Sequence, residues 1–97
     1  MNRGILLHPN DTVATLLAPA KCGDRFMITD TAGVECGYIT VTEEIPFAHK
    51  VAVKTMRQGD RVIKMNVTIG VATSEILPGS YAHVHNIESI EGRRAVK

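Results

Sequence analysis

Turn signatures recur along the length of this chain, and they rule out a fold built on long helices. Pro9-Asn10-Asp11, Cys22-Gly23-Asp24, Ala32-Gly33, Gln58-Gly59-Asp60 and Leu77-Pro78-Gly79 each combine residues that favour tight turns or positive φ. Between them lie short runs rich in β-branched side chains, at positions 12–17, 38–42, 50–54, 61–65 and 67–73. Such side chains suit a pleated, half-buried strand, and several runs alternate in and out. No window sustains the i, i+3, i+4, i+7 spacing of an amphipathic helix. Only at 11–17 does a short helix, capped by Asp11 or Thr12, compete with a strand, and the strand is favoured. The expected fold is mostly β, a set of short hairpins.

A chain of 97 residues matches the size of one domain, so residues 1–97 are expected to form a single compact unit. The tail 91–97, with Arg93, Arg94 and Lys97, is expected to be solvated and flexible. A unit of this size buries roughly 60 to 70 % of its unfolded surface and needs no disulfide or structural metal to fold. With two Tyr, two Phe and no Trp, its core must be aliphatic. Lys and Arg (11) nearly balance Asp and Glu (10), which leaves no basic field to attract nucleic acid or an anionic membrane. Cys22 and Cys36 have no zinc-ligand spacing. The opening apolar run, 5–7, is shorter than the ~7 to 15 residues of a signal peptide core or the ~20 of a membrane span. A cytoplasmic location with reduced thiols follows as the expectation.

Candidate functional residues concentrate in the second half. In His83-Val84-His85-Asn86, a strand would place His83 and His85 on one face about 6 to 7 Å apart, close enough to reach one small ligand or metal ion. His49-Lys50 emerges from the turn Ile45-Pro46-Phe47-Ala48 and runs into Val51-Ala52-Val53-Lys54. There Val51 and Val53 share one face while Lys50, Ala52 and Lys54 share a wetter one. His49 and Lys50 therefore point to opposite sides, and a crowded Lys50 can lose its proton more readily and serve as a base. Lys64 and Asn66 flank Met65 and would share a strand face. His8 precedes a turn whose Asn10 or Asp11 can cap its ring. Each of these has a purely structural alternative, a solvated surface group or a turn histidine. A weak internal echo links 44–51 with 75–82, each with an acid, an Ile and a proline-containing turn, and suggests two similar hairpin lead-ins. No phosphate-cradling glycine loop, G-x-S-x-G elbow or H-E-x-x-H is present, which disfavours a self-contained nucleotide or hydrolase machine.

Taken in order, His8-Pro9-Asn10-Asp11-Thr12-Val13-Ala14, the run 44–53, Gly59-Asp60-Arg61-Val62-Ile63-Lys64, Ile69-Gly70-Val71-Ala72, Gly79 and His83-Val84-His85-Asn86 resemble the SAF domain of the altronate/galactarate dehydratase family. The likeness covers nearly the whole chain. It departs at Ala48, where the family usually has Gly, at Met65-Asn66, where it has Tyr-Gly, and at Tyr81, where a further His is frequent. The resemblance implies a β-clip fold of bent hairpins and a role as the small subunit of a metal-dependent lyase. Its substrate would be a sugar acid or similar α-hydroxy acid such as altronate, galactarate or sulfolactate. It further implies a divalent metal, Fe²⁺ or Mn²⁺, in the assembled enzyme, a separately encoded large catalytic subunit, and inactivity of the isolated chain; a homo-oligomer is a further expectation. Carried onto this sequence, His49, Lys50 and His8 are the candidate catalytic groups, Lys64, Asn66 and Asn86 the candidate substrate-binding groups, and His83 and His85 the candidate metal ligands. The alternative is a non-enzymatic SAF module that binds carbohydrate or a partner protein.

Overall fold

The computed structural model describes residues 2–89; the tail 91–97 lies outside the described residues. Nine strands carry the chain, and no helix occurs among the described residues: β1 (Asn2–Ile5), β2 (Val13–Leu16), β3 (Arg25–Thr29), β4 (Glu35–Thr40), β5 (Lys50–Ala52), β6 (Arg61–Lys64), β7 (Val67–Ala72), β8 (Tyr81–Ala82) and β9 (Ile87–Ser89). The all-β expectation holds, and segment 11–17 contains a strand. Six strands form one sheet in the order β4-β3-β1-β2-β5-β8, and three form a second in the order β6-β7-β9. All pairings are antiparallel except β1 with β3.

The echo between 44–51 and 75–82 is the visible part of a duplicated backbone plan. Ala20 and Ile45 exchange both backbone hydrogen bonds, as do Met56 and Ile76. Gly23 donates to Val41 and Gly59 to Ala72; Val41 donates to Asp24 and Ala72 to Asp60. The Asp24 carboxylate accepts the Lys21 N–H, and the Asp60 carboxylate accepts the Arg57 N–H, both at 2.8 Å. Ala48 donates to Leu16, which donates to His49, just as Gly79 donates to Ala52, which donates to Ser80. The second copy thus begins within the strand, β5, that closes the first.

The core divides along the same line. One buried cluster contains Leu16, Ala20, Phe26, Val41, Ile45 and Val51, and the other contains Ala52, Met56, Val62, Ala72, Ile76 and Ala82. These are the same positions of the two copies. The first copy places Ala20 beside Phe26 and the second places Met56 beside Val62, so small and large side chains trade places, which close packing allows when the summed volume is kept. Strand β5 separates the clusters, Val51 buried in one and Ala52 in the other. The wetter face expected for Lys50, Ala52 and Lys54 is therefore dry at its centre. Lys54 lies beyond the strand, exposed, with Nζ donating to the Pro9 carbonyl at 3.1 Å.

The expected strand over 61–65 stops at Lys64. Met65 and Asn66 both adopt positive φ, 55° and 60°, and make the tight two-residue turn that joins β6 to β7 with the twist a hairpin needs. Neither is glycine, and the conformation is held by Asp11. Its fully buried carboxylate accepts the Met65 and Asn66 N–H groups, each at 2.9 Å. Removing it takes away both charge-assisted hydrogen bonds that hold this positive-φ turn. Asp11→Ala is expected to destabilise the protein by about 3 kcal/mol, since each hydrogen bond to a charged group is worth about 1.5 to 3 kcal/mol. Urea unfolding should show the drop, with Asp11→Asn falling between the variant and the parent; an unchanged midpoint for the alanine variant would show that the turn holds itself.

Candidate active site

Four rings gather where the lead-in to β5 meets β8. His49 follows Ala48, whose φ of 68° bends the chain into β5. Its backbone is pinned on both sides, N–H to the Pro46 carbonyl and C=O to the Leu16 N–H. Its ring is free to face β8, where Nδ1 lies 2.5 Å from the Tyr81 hydroxyl. His83 lies beside both, 5.0 Å from His49 and 5.2 Å from Tyr81 between ring centroids, the latter pair stacked at 12°. His85 reaches the other side of Tyr81 at 5.5 Å.

Ala48 bears on this geometry directly, because an L-residue in the left-handed region is strained by its Cβ. Ala48→Gly removes that strain without touching the ring cluster. It is expected to raise stability by up to about 1 kcal/mol, read as a higher urea midpoint; a lower midpoint would mean that chain entropy outweighs strain at this turn.

His83 and His85 do not share a strand face. Strand β8 ends at Ala82, and residues 83–86 form a turn in which the Asn86 and Ile87 N–H groups both donate to the His83 carbonyl. A two-residue strand has too little ladder to continue through the pair. Asn86 closes the turn: its Oδ1 accepts the His83 N–H and its Nδ2 donates to the Tyr81 carbonyl, both at 2.9 Å. Its amide, 8 % exposed, is turned to the backbone that holds Tyr81 and His83 in place.

Lys50, one residue past His49, lines a neighbouring cleft of about 290 Å³ with Ile69, His83, Val84, Ile87 and Ser89. Burial, and then the Lys64 ammonium, push the Lys50 pKa below the usual lysine value. Two cations held close together in a half-buried place create a potential that favours an anion. The His83 pKa is also lowered, first by desolvation and then by His49, Lys50 and His85. His83 therefore joins the two regions, touching the ring of His49 and lining the cleft of Lys50. Tyr81 borders a second cleft of about 540 Å³, walled by Pro19, Ala20, Ile45 and Pro46 with Lys21, Asp24 and Glu44.

The structure brings together His49, Lys50, His83, His85 and, through its charge, Lys64. It leaves His8 and Asn66 elsewhere. The His8 ring accepts the Asn10 N–H at 3.1 Å, the capped turn histidine of its structural alternative, and among the described residues no ring contact joins it to the cluster. The Asn66 side chain accepts from the Asn10 amide at 3.2 Å. Tyr81 is the central residue that sequence reasoning did not single out as functional. Only its departure from the family's histidine marked it. As to metal, no three His, Cys, Asp or Glu side chains among the described residues are placed to hold an ion.

The family model for the altronate/galactarate dehydratase SAF domain matches residues 2–90. The chain belongs to that family. This SAF domain is 30 % identical over 89 residues to an altronate dehydratase of Bacillus subtilis (strain 168), covering 92 % of the domain and 17 % of that protein. An altronate dehydratase of Escherichia coli (strain K12) is 29 % identical over 82 residues, with 15 % of its length covered. The (2R)-sulfolactate sulfo-lyase subunit alpha of Paracoccus pantotrophus is 37 % identical over 51 residues, 53 % of the SAF domain and 76 % of that subunit. The domain thus spans about a sixth of the dehydratases and most of the length of a small lyase subunit. No helix among its described residues is long and apolar enough to cross a membrane.

Proposed function

We propose that this SAF domain is the small subunit of a lyase that removes water, or a comparable leaving group, from an α-hydroxy acid of the altronate, galactarate or sulfolactate kind. The observation that supports this reading best is the convergence of His49, Tyr81, His83 and His85 on the border of a cleft that holds Lys50. Elimination next to a carboxylate needs a cationic place for that carboxylate and a group that moves a proton. Lys50 and Lys64 provide the first and His49 the second. Both lysines are half-buried, so their charges are less screened than those of solvated surface groups.

The site is incomplete in one chain. Phe47 and Val84, 60 % and 80 % exposed, sit beside His49 and between His83 and His85, apolar groups that a larger partner would cover. In this reading a large dehydratase chain docks there. A divalent ion, Fe²⁺ or Mn²⁺, would take its principal ligands from that chain and supply Lewis acidity toward the leaving group, with His83 and His85 as the ligands this chain would add.

The test is reconstitution. The SAF domain and a large dehydratase-family chain encoded beside it are co-expressed, and loss of water from altronate or galactarate and release of sulfite from sulfolactate are assayed. The expected result is activity with the pair and none with either chain alone. A stable complex that acts on none of the three would replace the lyase reading with that of a docking module, and the absence of any complex would overturn the subunit assignment.

A further inference from the structure

Tyr81 is held at both backbone polar groups and at its ring. Its N–H donates to Glu43 Oε2 at 3.0 Å, its carbonyl accepts from Asn86 Nδ2 at 2.9 Å, and its ring lies against His49, His83 and His85. The phenol is thereby aimed at one atom, His49 Nδ1. Between a phenol and a neutral imidazole the direction of the hydrogen bond follows from acidity. The phenol is the better donor and the unprotonated ring nitrogen the better acceptor, since the imidazole N–H is far less acidic than the phenolic O–H. With Nδ1 accepting, the ring's proton sits on Nε2, because the tautomer of a neutral histidine is set by the bond its other nitrogen makes.

We infer that Tyr81 is a positioning residue that donates its hydroxyl to His49 Nδ1, fixes the Nε2–H tautomer, and so makes His49 a proton donor to the leaving oxygen of a hydroxy acid. The assignment of the tautomer follows from the contact and the relative acidities of its two groups; the catalytic consequence rests on the lyase reading.

A base on the large chain takes the proton α to the carboxylate, and the C–H electron pair becomes the new double bond. The C–O bond breaks with its pair on oxygen, which takes the Nε2 proton and departs as water. Tyr81 passes its proton to Nδ1, so His49 remains neutral and the negative charge ends on the phenolate. The cation of Lys50 and the neighbouring imidazoles favour that charge. The α-proton, returned through solvent to Nε2 as Nδ1 gives its proton back to the phenolate, restores the starting state and closes the cycle. Sulfite leaves as a stable anion and needs no such proton, so the two kinds of leaving group should depend on Tyr81 differently.

Nitrogen-15 NMR of the isolated SAF domain tests the tautomer without any partner. His49 Nε2 should resonate as the protonated nitrogen and Nδ1 as the bare one, and in Tyr81→Phe the signals should move toward a mixture of tautomers. A bare Nε2 in the parent, or signals untouched by Tyr81→Phe, overturns the inference whatever the enzyme does. In the reconstituted pair, Tyr81→Phe should lower kcat for dehydration about 100-fold with KM little changed. Sulfite release from sulfolactate should fall less than about threefold. An equal loss on both leaving groups would overturn the donor role while leaving the lyase reading intact. If only one substrate is turned over, the size of its own loss decides. A Tyr81→Phe variant that loses the His83 and Asn86 backbone signals has lost the turn, and 3-fluorotyrosine at position 81, which keeps the donor, must then preserve the Nε2–H tautomer for the inference to survive.

Discussion

Gly79→Ala is expected to destabilise this protein by about 4 kcal/mol, near the upper limit for a single substitution. Two independent penalties combine there. The residue has φ of 94°, where an L-side chain is strained, and a Cβ at this position would lie 2.2 Å from the Thr40 carbonyl oxygen. The obstacle is backbone, and it cannot retreat easily, because Gly79 accepts a hydrogen bond from the Thr42 N–H while donating to Ala52. Gly59 provides the control. It has the same φ of 94° with nothing within 4 Å of its would-be Cβ, so Gly59→Ala should cost only the torsional strain, about 1 to 2 kcal/mol. Chemical unfolding of the two variants separates the terms: equal losses would show that the contact with Thr40 relaxes at little cost. Ala48 is the same position in the first copy and tolerates a Cβ at φ 68°, so the obstacle belongs to the end of β4 and not to the turn itself.

His49→Ala in the reconstituted lyase is expected to lower kcat/KM by about 10² to 10⁴, the range general acid–base groups contribute, while the complex still assembles. The ring is placed by its backbone bonds to Pro46 and Leu16, which the substitution leaves in place. The loss should therefore fall on turnover, not on folding, and circular dichroism and urea unfolding of the isolated domain should be close to those of the parent. Activity within threefold of the parent would reduce the domain to a scaffold. His85→Ala is the informative comparison, since His85 touches Tyr81 but lies on the exposed arm of the turn.

The turns and the longer β-branched strands could be read from sequence because each is specified locally. The strands that escaped were fixed by their neighbours. Strand β1 contains Gly4, a poor strand former in isolation. In the sheet it lies between β2 and β3, where a Cβ would come 2.9 Å from the end of the Ile28 side chain and 3.3 Å from the Thr15 carbonyl oxygen, so the close packing of its neighbours favours a residue without a side chain. Strands β8 and β9, two and three residues long, are too short to show a period. The site divides in the same manner. His49, Lys50, His83 and His85 could be picked out by residue type, but their juxtaposition depends on β8 pairing with β5 through Lys50 and Val51. The two histidines meet Tyr81 through a turn closed by Asn86, an arrangement strand periodicity cannot describe. The importance of Tyr81 follows only from tertiary geometry.

The repeated plan has a consequence for which substitutions such a site can accept. The backbone slots occupied by His49 and Lys50 in the first copy are occupied by Ser80 and Tyr81 in the second, with the same hydrogen bonds before them. One pair of equivalent positions thus holds an imidazole and an ammonium on one side of the seam and a hydroxyl and a phenol on the other. Each half keeps its own small core, so a substitution in one slot can alter the chemistry at the seam while the packing of the opposite half is left undisturbed. Such a scaffold lets innovation in one copy be insured by the other.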